Sequence, residues 1–221
     1  MKKNTIFVIA LAVLALLFIG GAQLYRGQQA REAAATAAKN KESLVRFHAP
    51  TLGRADAPVR IVEFFDPACE TCAAFYPLVK QMMAANRDAI HLTVRYAPFH
   101  PGSEEVVKVL EASRKQGKYW QAFDALVASQ PTWVQHHQAR VELVWPFLAR
   151  AGLDTERLKS DMQSPDIART IAQDLVDART LNVKKTPEFF VNGRPLPSFG
   201  FEQLRTLVEE ELAATGKAKA G

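Results

Sequence analysis

The feature that most constrains this chain is a pair of cysteines three positions apart, Cys69 and Cys72, the only two cysteines in its 221 residues. A nearly continuous apolar run, Val59–Phe65, precedes the pair and is typical of a buried central strand. Apolar residues at helical spacing follow the pair: Phe75, Leu78, Val79, Met82 and Met83. The two cysteines are therefore expected at a strand-to-helix turn, on the first turn of the helix.

The start of a helix suits a reactive thiol. Its unpaired N–H groups and partial positive charge favour an anion, so the pKa of the Cys69 thiol is expected to be depressed. Cys69 is expected to point outward, and Cys72 to lie one turn later on the same face and further inside. From there Cys72 can attack a mixed disulfide formed at Cys69. Thiol–disulfide exchange by one protein requires at least a nucleophilic thiol and a second thiol that resolves the mixed disulfide.

Three other roles for the cysteine pair are disfavoured by the surrounding sequence. A structural zinc site needs about four ligands, and the histidines show no partnering spacing: His48, His91, His100, His136 and His137. A purely structural disulfide would close so short a loop that its entropic benefit is small. Two inert core cysteines are disfavoured because Glu70 and Thr71 between them are not core residues. We therefore expect no metal and no cofactor.

Two segments of the chain resemble a known family. Residues 63–72, EFFDPACETC, followed by Pro77, resemble the active-site segment of thioredoxin-fold proteins. Residues 185–193, KTPEFFVNG, are similar to their cis-proline loop and the hairpin after it. The long helical stretch between these segments indicates the DsbA-like branch, the thiol:disulfide interchange proteins of the bacterial envelope. The resemblance covers residues 45–214.

The resemblance implies an α/β fold, namely a thioredoxin fold with a helical insertion, preceded by an N-terminal hydrophobic helix. The domain would span residues 43–215 and the insertion residues 103–181. Pro187 would be cis and pack against the face that carries the cysteines. The backbone of Thr186 would then be free to pair with an extended substrate strand.

Glu63 is unusual because it is a carboxylate in an otherwise apolar strand. Burial should raise its pKa, and an acid that titrates near neutrality can relay a proton to or from a buried thiol. In the resembled family a buried acid at the matching place serves the residue that corresponds to Cys72. The alternative is that Glu63 faces solvent at the end of the strand.

Residues next to the cysteines are expected to tune the reactivity of Cys69. Glu70 and Thr71 stand where the archetypal oxidase of the resembled family carries Pro-His. The negative charge of Glu70 should raise the pKa of the Cys69 thiol, and Lys185 could offset that charge. We expect a Cys69 pKa between about 3.5 and 7 and a weaker oxidant than the archetype.

The first 22 residues are expected to be an export signal, because Lys2 and Lys3 precede an uncharged apolar stretch over residues 6–22. An uncleaved single-span anchor is favoured over a cleaved signal peptide, and either would place the domain outside the cytoplasm. Residues 23–42 are expected to form a linker and residues 216–221 a disordered tail. The net charge is +5 with scattered Lys and Arg, which argues against nucleic-acid binding.

These features predict a periplasm-facing thiol:disulfide oxidoreductase, in the first place an oxidase that passes its disulfide to extended, cysteine-containing protein substrates. The resemblance implies a membrane quinone-linked partner that reoxidises it. The same chemistry could run backwards in a reductase or isomerase kept reduced by a transmembrane electron donor. A peptide-binding or holdase module without turnover is a third alternative, which the cysteine pair disfavours.

Three local predictions concern the rest of the domain. Residues 44–47 are expected to form an edge strand. The helix that begins near Tyr119 is expected to close before Pro131. His136 and His137 are expected on an exposed helical face, where adjacent residues point apart.

Overall fold

The computed structural model describes residues 2–219 of the chain. It divides into two compact units, Met1–Lys39 and Asn40–Gly221. A long helix, α1 (Lys2–Leu44), makes up the described part of the first unit and ends in the second.

Within the first unit, α1 carries many exposed apolar side chains. By length and composition, the stretch Phe7–Leu44 is the one candidate for a membrane-crossing helix in the described part of the chain. A signal sequence near the N-terminus has the same character, so this finding accords with either form of export signal. The expected linker, residues 23–42, continues the same helix.

The second unit alternates strands and helices. Its labelled elements, in chain order, are β1 (Thr51–Leu52), β2 (Val59–Phe65), α2 (Glu70–Ala85), β3 (Ile90–Tyr96), α3 (Ser103–Arg114), α4 (Tyr119–Trp133), β4 (Val134–Gln135), β5 (Gln138–Ala139), α5 (Trp145–Arg150), α6 (Thr155–Asp161), α7 (Pro165–Thr180), β6 (Glu188–Val191), β7 (Arg194–Pro195) and α8 (Phe201–Lys219). A short 3-10 helix, Val141–Leu143, precedes α5.

Strand β2 lies at the centre of a five-stranded sheet with the order β1-β3-β2-β6-β7. It runs parallel to β3 and antiparallel to β6, so Glu63 lies between Val94 and Phe189. Every residue of β2 except Arg60 is buried, which confirms the predicted central strand. Because α2 begins five residues after β2 ends, the cysteine pair lies at the end of the central strand.

The predicted helical insertion is confirmed: helices α3 to α7 and the hairpin β4–β5 separate β3 from β6. One continuous core joins the sheet to the insertion. The rings of Phe65 in β2 and Phe123 in α4 have centroids 4.7 Å apart. The insertion therefore packs directly against the strand that leads to the cysteines.

The prediction of an edge strand over residues 44–47 is wrong. Leu44 ends α1, and β1 pairs with β3 at that edge of the sheet. Buried Arg95 donates hydrogen bonds to the carbonyls of Ser43 and Leu44 at 2.7 and 3.2 Å. These carbonyls therefore accept hydrogen bonds from a side chain and not from the backbone of a neighbouring strand.

Two predictions in the insertion are also wrong. Helix α4 continues through Pro131 to Trp133; a proline in the last turn removes only one backbone donor, and the helix ends two residues later. His136 and His137 are exposed as predicted, but they form the turn of the hairpin β4–β5. Their φ angles of 50° and 58° are left-handed and incompatible with a helix.

At the C-terminal end, α8 runs to Lys219. The tail that was expected to be disordered from residue 216 is therefore helical over its first four residues. Residues 220 and 221 lie outside the described part of the chain.

Candidate active site

Cys69 is the N-cap residue of α2, with extended backbone angles of φ −79° and ψ 108°. Its sulfur accepts a hydrogen bond from the Cys72 N–H at 3.3 Å. An N-cap acceptor normally satisfies one of the orphan N–H groups of the first helical turn. Here a thiol sulfur does so, which confirms the predicted position of Cys69 at the start of the helix.

The loop before β6 lies against the Cys69 thiol. The Thr186–Pro187 peptide bond is cis, and the Thr186 carbonyl oxygen lies 3.3 Å from Cys69 Sγ, from which it accepts a hydrogen bond. Cys69 is only 3% exposed as a result. The prediction that Cys69 points outward is therefore wrong, because residues 117 positions further along the chain close over its sulfur.

The pKa of Cys69 is lowered from the ordinary value of 9.0 to about 6. The largest cause is a hydrogen bond from the Cys72 side chain, followed by the opposing effect of burial and then by a hydrogen bond from the Thr186 side chain. Thr186 Oγ1 is buried and has no hydrogen-bond partner among the described residues while Cys69 is a thiol that donates to the Thr186 carbonyl. Its hydroxyl can therefore donate to a thiolate at Cys69.

Cys72 is fully buried, and its pKa is raised well above that of an ordinary thiol. Burial is the largest cause, since it disfavours the thiolate. The hydrogen bond to Cys69 and the charge of Glu63 act in the same direction. The two thiols thus differ as a nucleophile and a resolving thiol must, with Cys69 ionised near neutrality and Cys72 protonated.

Glu63 is fully buried in β2, so the alternative of a solvent-facing Glu63 is excluded. Neither of its carboxyl oxygens has a hydrogen-bond partner among residues 2–219. Burial, and next the charge of Cys69, raises its pKa to about 8. A carboxyl group with this pKa can exchange protons at neutral pH, as the relay role requires.

Two further side chains hold the turn that carries Cys69. The side-chain amide of Gln130 in α4 donates to the carbonyls of Pro67 and Cys69 at 2.8 and 3.1 Å. Asp66, which follows β2, is buried and accepts hydrogen bonds from this turn and from the segment before α3. Sequence reasoning missed both residues. A charged residue directly after an apolar strand was the only signal for Asp66, and Gln130 gave none.

The expected tuning residues lie apart from the sulfur atoms. Glu70 and Lys185 are exposed, and Lys185 Nζ lies 5.2 Å from the centroid of the Phe199 ring. Exposed charges are screened by solvent and salt, so a tuning role for Glu70, Thr71 or Lys185 stays a prediction. The charge of Asp66 raises the Cys69 pKa, with a smaller effect than those of Cys72, burial and Thr186.

A family model described as thioredoxin matches residues 47–210. The chain belongs to the thioredoxin family. Among solved structures, it is similar to a thioredoxin-like oxidoreductase from Silicibacter pomeroyi DSS-3, with 30% identity and a TM-score of 0.67 over 80% of this chain and 97% of that one. This thioredoxin-family chain therefore has the fold and thiol pair of a thiol–disulfide oxidoreductase.

Two more distant structures share the fold of this thioredoxin-family protein. The thiol-disulfide exchange protein alpha-DsbA2 from Wolbachia pipientis is 19% identical, with a TM-score of 0.68 over 83% of this chain and 97% of that chain. BdbD from Bacillus subtilis is 22% identical, with a TM-score of 0.66 over 75% and 94% of the two chains. The thioredoxin fold with a helical insertion that the sequence predicted is confirmed.

The chain also matches part of several longer curated proteins. The Na(+)/H(+) antiporter NhaA from Herminiimonas arsenicoxydans is 31% identical over 144 residues, which are 65% of this chain and 22% of the antiporter. The chain spans about a fifth of the length of the curated relatives that it matches. The similarity is that of one domain within those larger proteins.

Proposed function

We propose that this protein is a thiol:disulfide oxidoreductase of the bacterial cell envelope that passes the Cys69–Cys72 disulfide to cysteines of extended protein substrates, acting as an oxidase. The observation that carries the proposal is the stabilised thiolate of Cys69, whose pKa is about 6. A disulfide becomes more oxidising when its reduced form is stabilised. The hydrogen bonds from Cys72 and Thr186 supply that stabilisation.

The same pKa limits the strength of the oxidant. It lies between those of DsbA, about 3.5, and thioredoxin, about 7. One pKa unit corresponds to about 1.4 kcal/mol, or about 30 mV for a two-electron couple. This intermediate position is the observation that favours the alternative function of a reductase or isomerase kept reduced by a membrane electron donor.

A redox titration separates the two directions. Equilibration of the Cys69–Cys72 pair with glutathione should give a potential at or above about −240 mV, one pKa unit more oxidising than thioredoxin. The oxidised protein should then introduce disulfides into a reduced, unfolded substrate, while a variant with Cys69→Ala and Cys72→Ala should not. A potential near about −270 mV would contradict the oxidase direction and support the reductase.

Substrate binding is proposed at the Thr186–Pro187 loop. The loop precedes β6, and an open cavity beside it is lined by Lys185, Pro187 and Phe199 among others. An extended peptide paired with the Thr186 backbone would bring its cysteine to Cys69 Sγ, which lies 3.3 Å from the Thr186 carbonyl. A binding module without turnover would not need a thiol with a lowered pKa next to one with a raised pKa.

The proposed location is the periplasmic side of the inner membrane, with residues 6–22 as an uncleaved anchor and a quinone-linked membrane protein as the partner that restores the disulfide. The apolar helix that begins the chain supports this location.

Full-length protein should remain in membranes through a carbonate wash and keep its original N-terminus, because a span of this length is held by the bilayer. A variant that begins at Gln23 should be released by the same wash. Recovery of wild-type protein in the soluble periplasmic fraction, starting near Gln23, would show instead that the segment is a cleaved signal peptide.

A further inference from the structure

Asp66 is the one charged residue in the four-residue turn between β2 and α2, and it is fully buried. Its Oδ1 atom accepts hydrogen bonds from the Ala68 N–H at 2.9 Å and from the Ser103 hydroxyl. Its Oδ2 atom accepts from the N–H groups of Phe99 and His100 at 2.7 and 2.9 Å, and from Nδ1 of the His100 ring at 2.7 Å. A carboxylate offers about four lone-pair sites, so five donors fill its capacity.

These contacts join two segments that are distant in sequence. Ala68 directly precedes Cys69, whereas His100 and Ser103 lie at the entrance to the helical insertion. The Cys69 N–H also donates to the Asp66 carbonyl at 3.0 Å. One buried side chain therefore fixes the nucleophile turn to the insertion.

Hydrogen bonds that connect the Cys69 turn to the insertion do not require a charged acceptor. The desolvation cost of burying a charged group can exceed what its contacts return, and neutral groups could make similar contacts. The charge of Asp66 has an effect beyond packing, however. The pKa of Cys69 is lowered mainly by the hydrogen bond from Cys72; burial and, to a smaller extent, the negative charge of Asp66 work against that lowering.

We propose that Asp66 is a positioning residue of the redox site, which fixes the Cys69 turn against the insertion and limits how strongly the Cys69 thiolate is stabilised. The inference deepens the proposed oxidoreductase function and rests on it. Asp66 would keep the disulfide a moderate oxidant, because it opposes the donors that favour the reduced form.

Asp66→Asn removes the charge and keeps most of the contacts. The amide oxygen can replace Oδ2 as the acceptor for Phe99 and His100, and the amide nitrogen can donate to the Ser103 hydroxyl. The Ala68 N–H loses its acceptor on residue 66 but keeps the Ser103 hydroxyl oxygen, 3.1 Å away. In the reduced full-length protein, the Cys69 pKa should fall by about 0.3 to 0.5 units, because a neighbouring negative charge with a small effect on that pKa is lost. The equilibrium with glutathione should shift about two- to threefold toward the reduced protein.

Ser103→Ala is the matched control, since it leaves the charge in place and removes only the Ser103 hydroxyl, which donates to Asp66 and accepts from the Ala68 N–H at 3.1 Å. It should lower the melting temperature while the Cys69 pKa, read from the ultraviolet absorbance of the thiolate, stays at the wild-type value. If the Cys69 pKa fell as far in Ser103→Ala as in Asp66→Asn, geometry and not charge would set that pKa, and the proposal would be overturned.

A second pair of variants keeps the test decisive if Asp66→Asn does not fold. His100→Arg retains a donor near Oδ2 and adds a fixed positive charge, so it should lower the Cys69 pKa. His100→Asn retains a donor without that charge and should not. An unchanged or raised Cys69 pKa in His100→Arg, or in Asp66→Asn where that variant folds, would overturn the proposal. Failure of the oxidoreductase function itself would appear separately, as a wild-type disulfide that does not exchange with glutathione.

Discussion

Replacing Glu63 with glutamine should increase the free energy of unfolding by about 3 kcal/mol at pH 7. The pKa of Glu63 is raised from 4.5 to about 8, mainly by burial. Between these two values the folded protein holds a proton that the unfolded chain releases. The stability of the wild-type protein therefore falls as the pH rises through this range. Glutamine has the same shape but cannot ionise, so it removes that loss.

Chemical denaturation of both proteins from pH 4 to pH 8 measures the effect. Wild type and Glu63→Gln should have nearly equal free energies of unfolding at pH 4, and the difference between them should grow as the pH rises. Glu188→Gln is the matched control, because Glu188 is a half-buried glutamate on the neighbouring strand β6, beside Phe64. Glu188→Gln should change the free energy of unfolding less than Glu63→Gln does. Equal stability of wild type and Glu63→Gln at pH 8 would contradict a neutral, buried Glu63.

The same variant should be a slower enzyme. Without a proton acceptor near Cys72, attack on the mixed disulfide should slow by about a hundredfold, the low end of the usual contribution of a general base. Its rate should also lose the pH dependence that Glu63 gives to the wild type between pH 6 and 8. Unchanged kinetics of resolution would show that Glu63 does not serve Cys72.

Replacing Cys72 with alanine should trap substrates as mixed disulfides on Cys69. The complex can then be released only by external thiols, so its lifetime should rise by at least about a hundredfold, since the intramolecular attack is lost. Electrophoresis without reductant, followed by mass mapping, would identify the linked cysteine. Cys69→Ala is the control and should form no complexes, because Cys72 is fully buried and its pKa is raised.

Cys72→Ser makes the trapping experiment quantitative. The largest contribution to the low pKa of Cys69 is a hydrogen bond from the Cys72 side chain. Serine keeps a donor there, whereas alanine removes it, so the Cys69 pKa should rise further in Cys72→Ala than in Cys72→Ser. Complexes should therefore form faster with the serine variant near neutral pH. Accumulation of complexes on Cys72 in the Cys69→Ala protein would reverse the assigned roles.

The sequence by itself determined the strand β2, the helix α2 and the place of Cys69 at its start. These features depend on contiguous residues, namely an apolar run, a helical stripe and a pair of thiols one turn apart. The burial of Glu63 could also be inferred, because a carboxylate within an apolar strand at the centre of a sheet has no route to solvent. The helical insertion followed from the distance between the two segments that resemble the family.

The tertiary structure alone decided how Cys69 is covered and which charge acts on it. The Thr186 carbonyl comes from 117 residues further along the chain, and the amide of Gln130 reaches Pro67 across 63 residues. Sequence proximity instead suggested Glu70, which is exposed and therefore screened by solvent. Asp66 is close in sequence to Cys69, but its hydrogen bonds to His100 and Ser103 exist only because β2 and β3 lie side by side in the sheet. Electrostatic effects depend on distance and burial in space, which the order of residues does not specify.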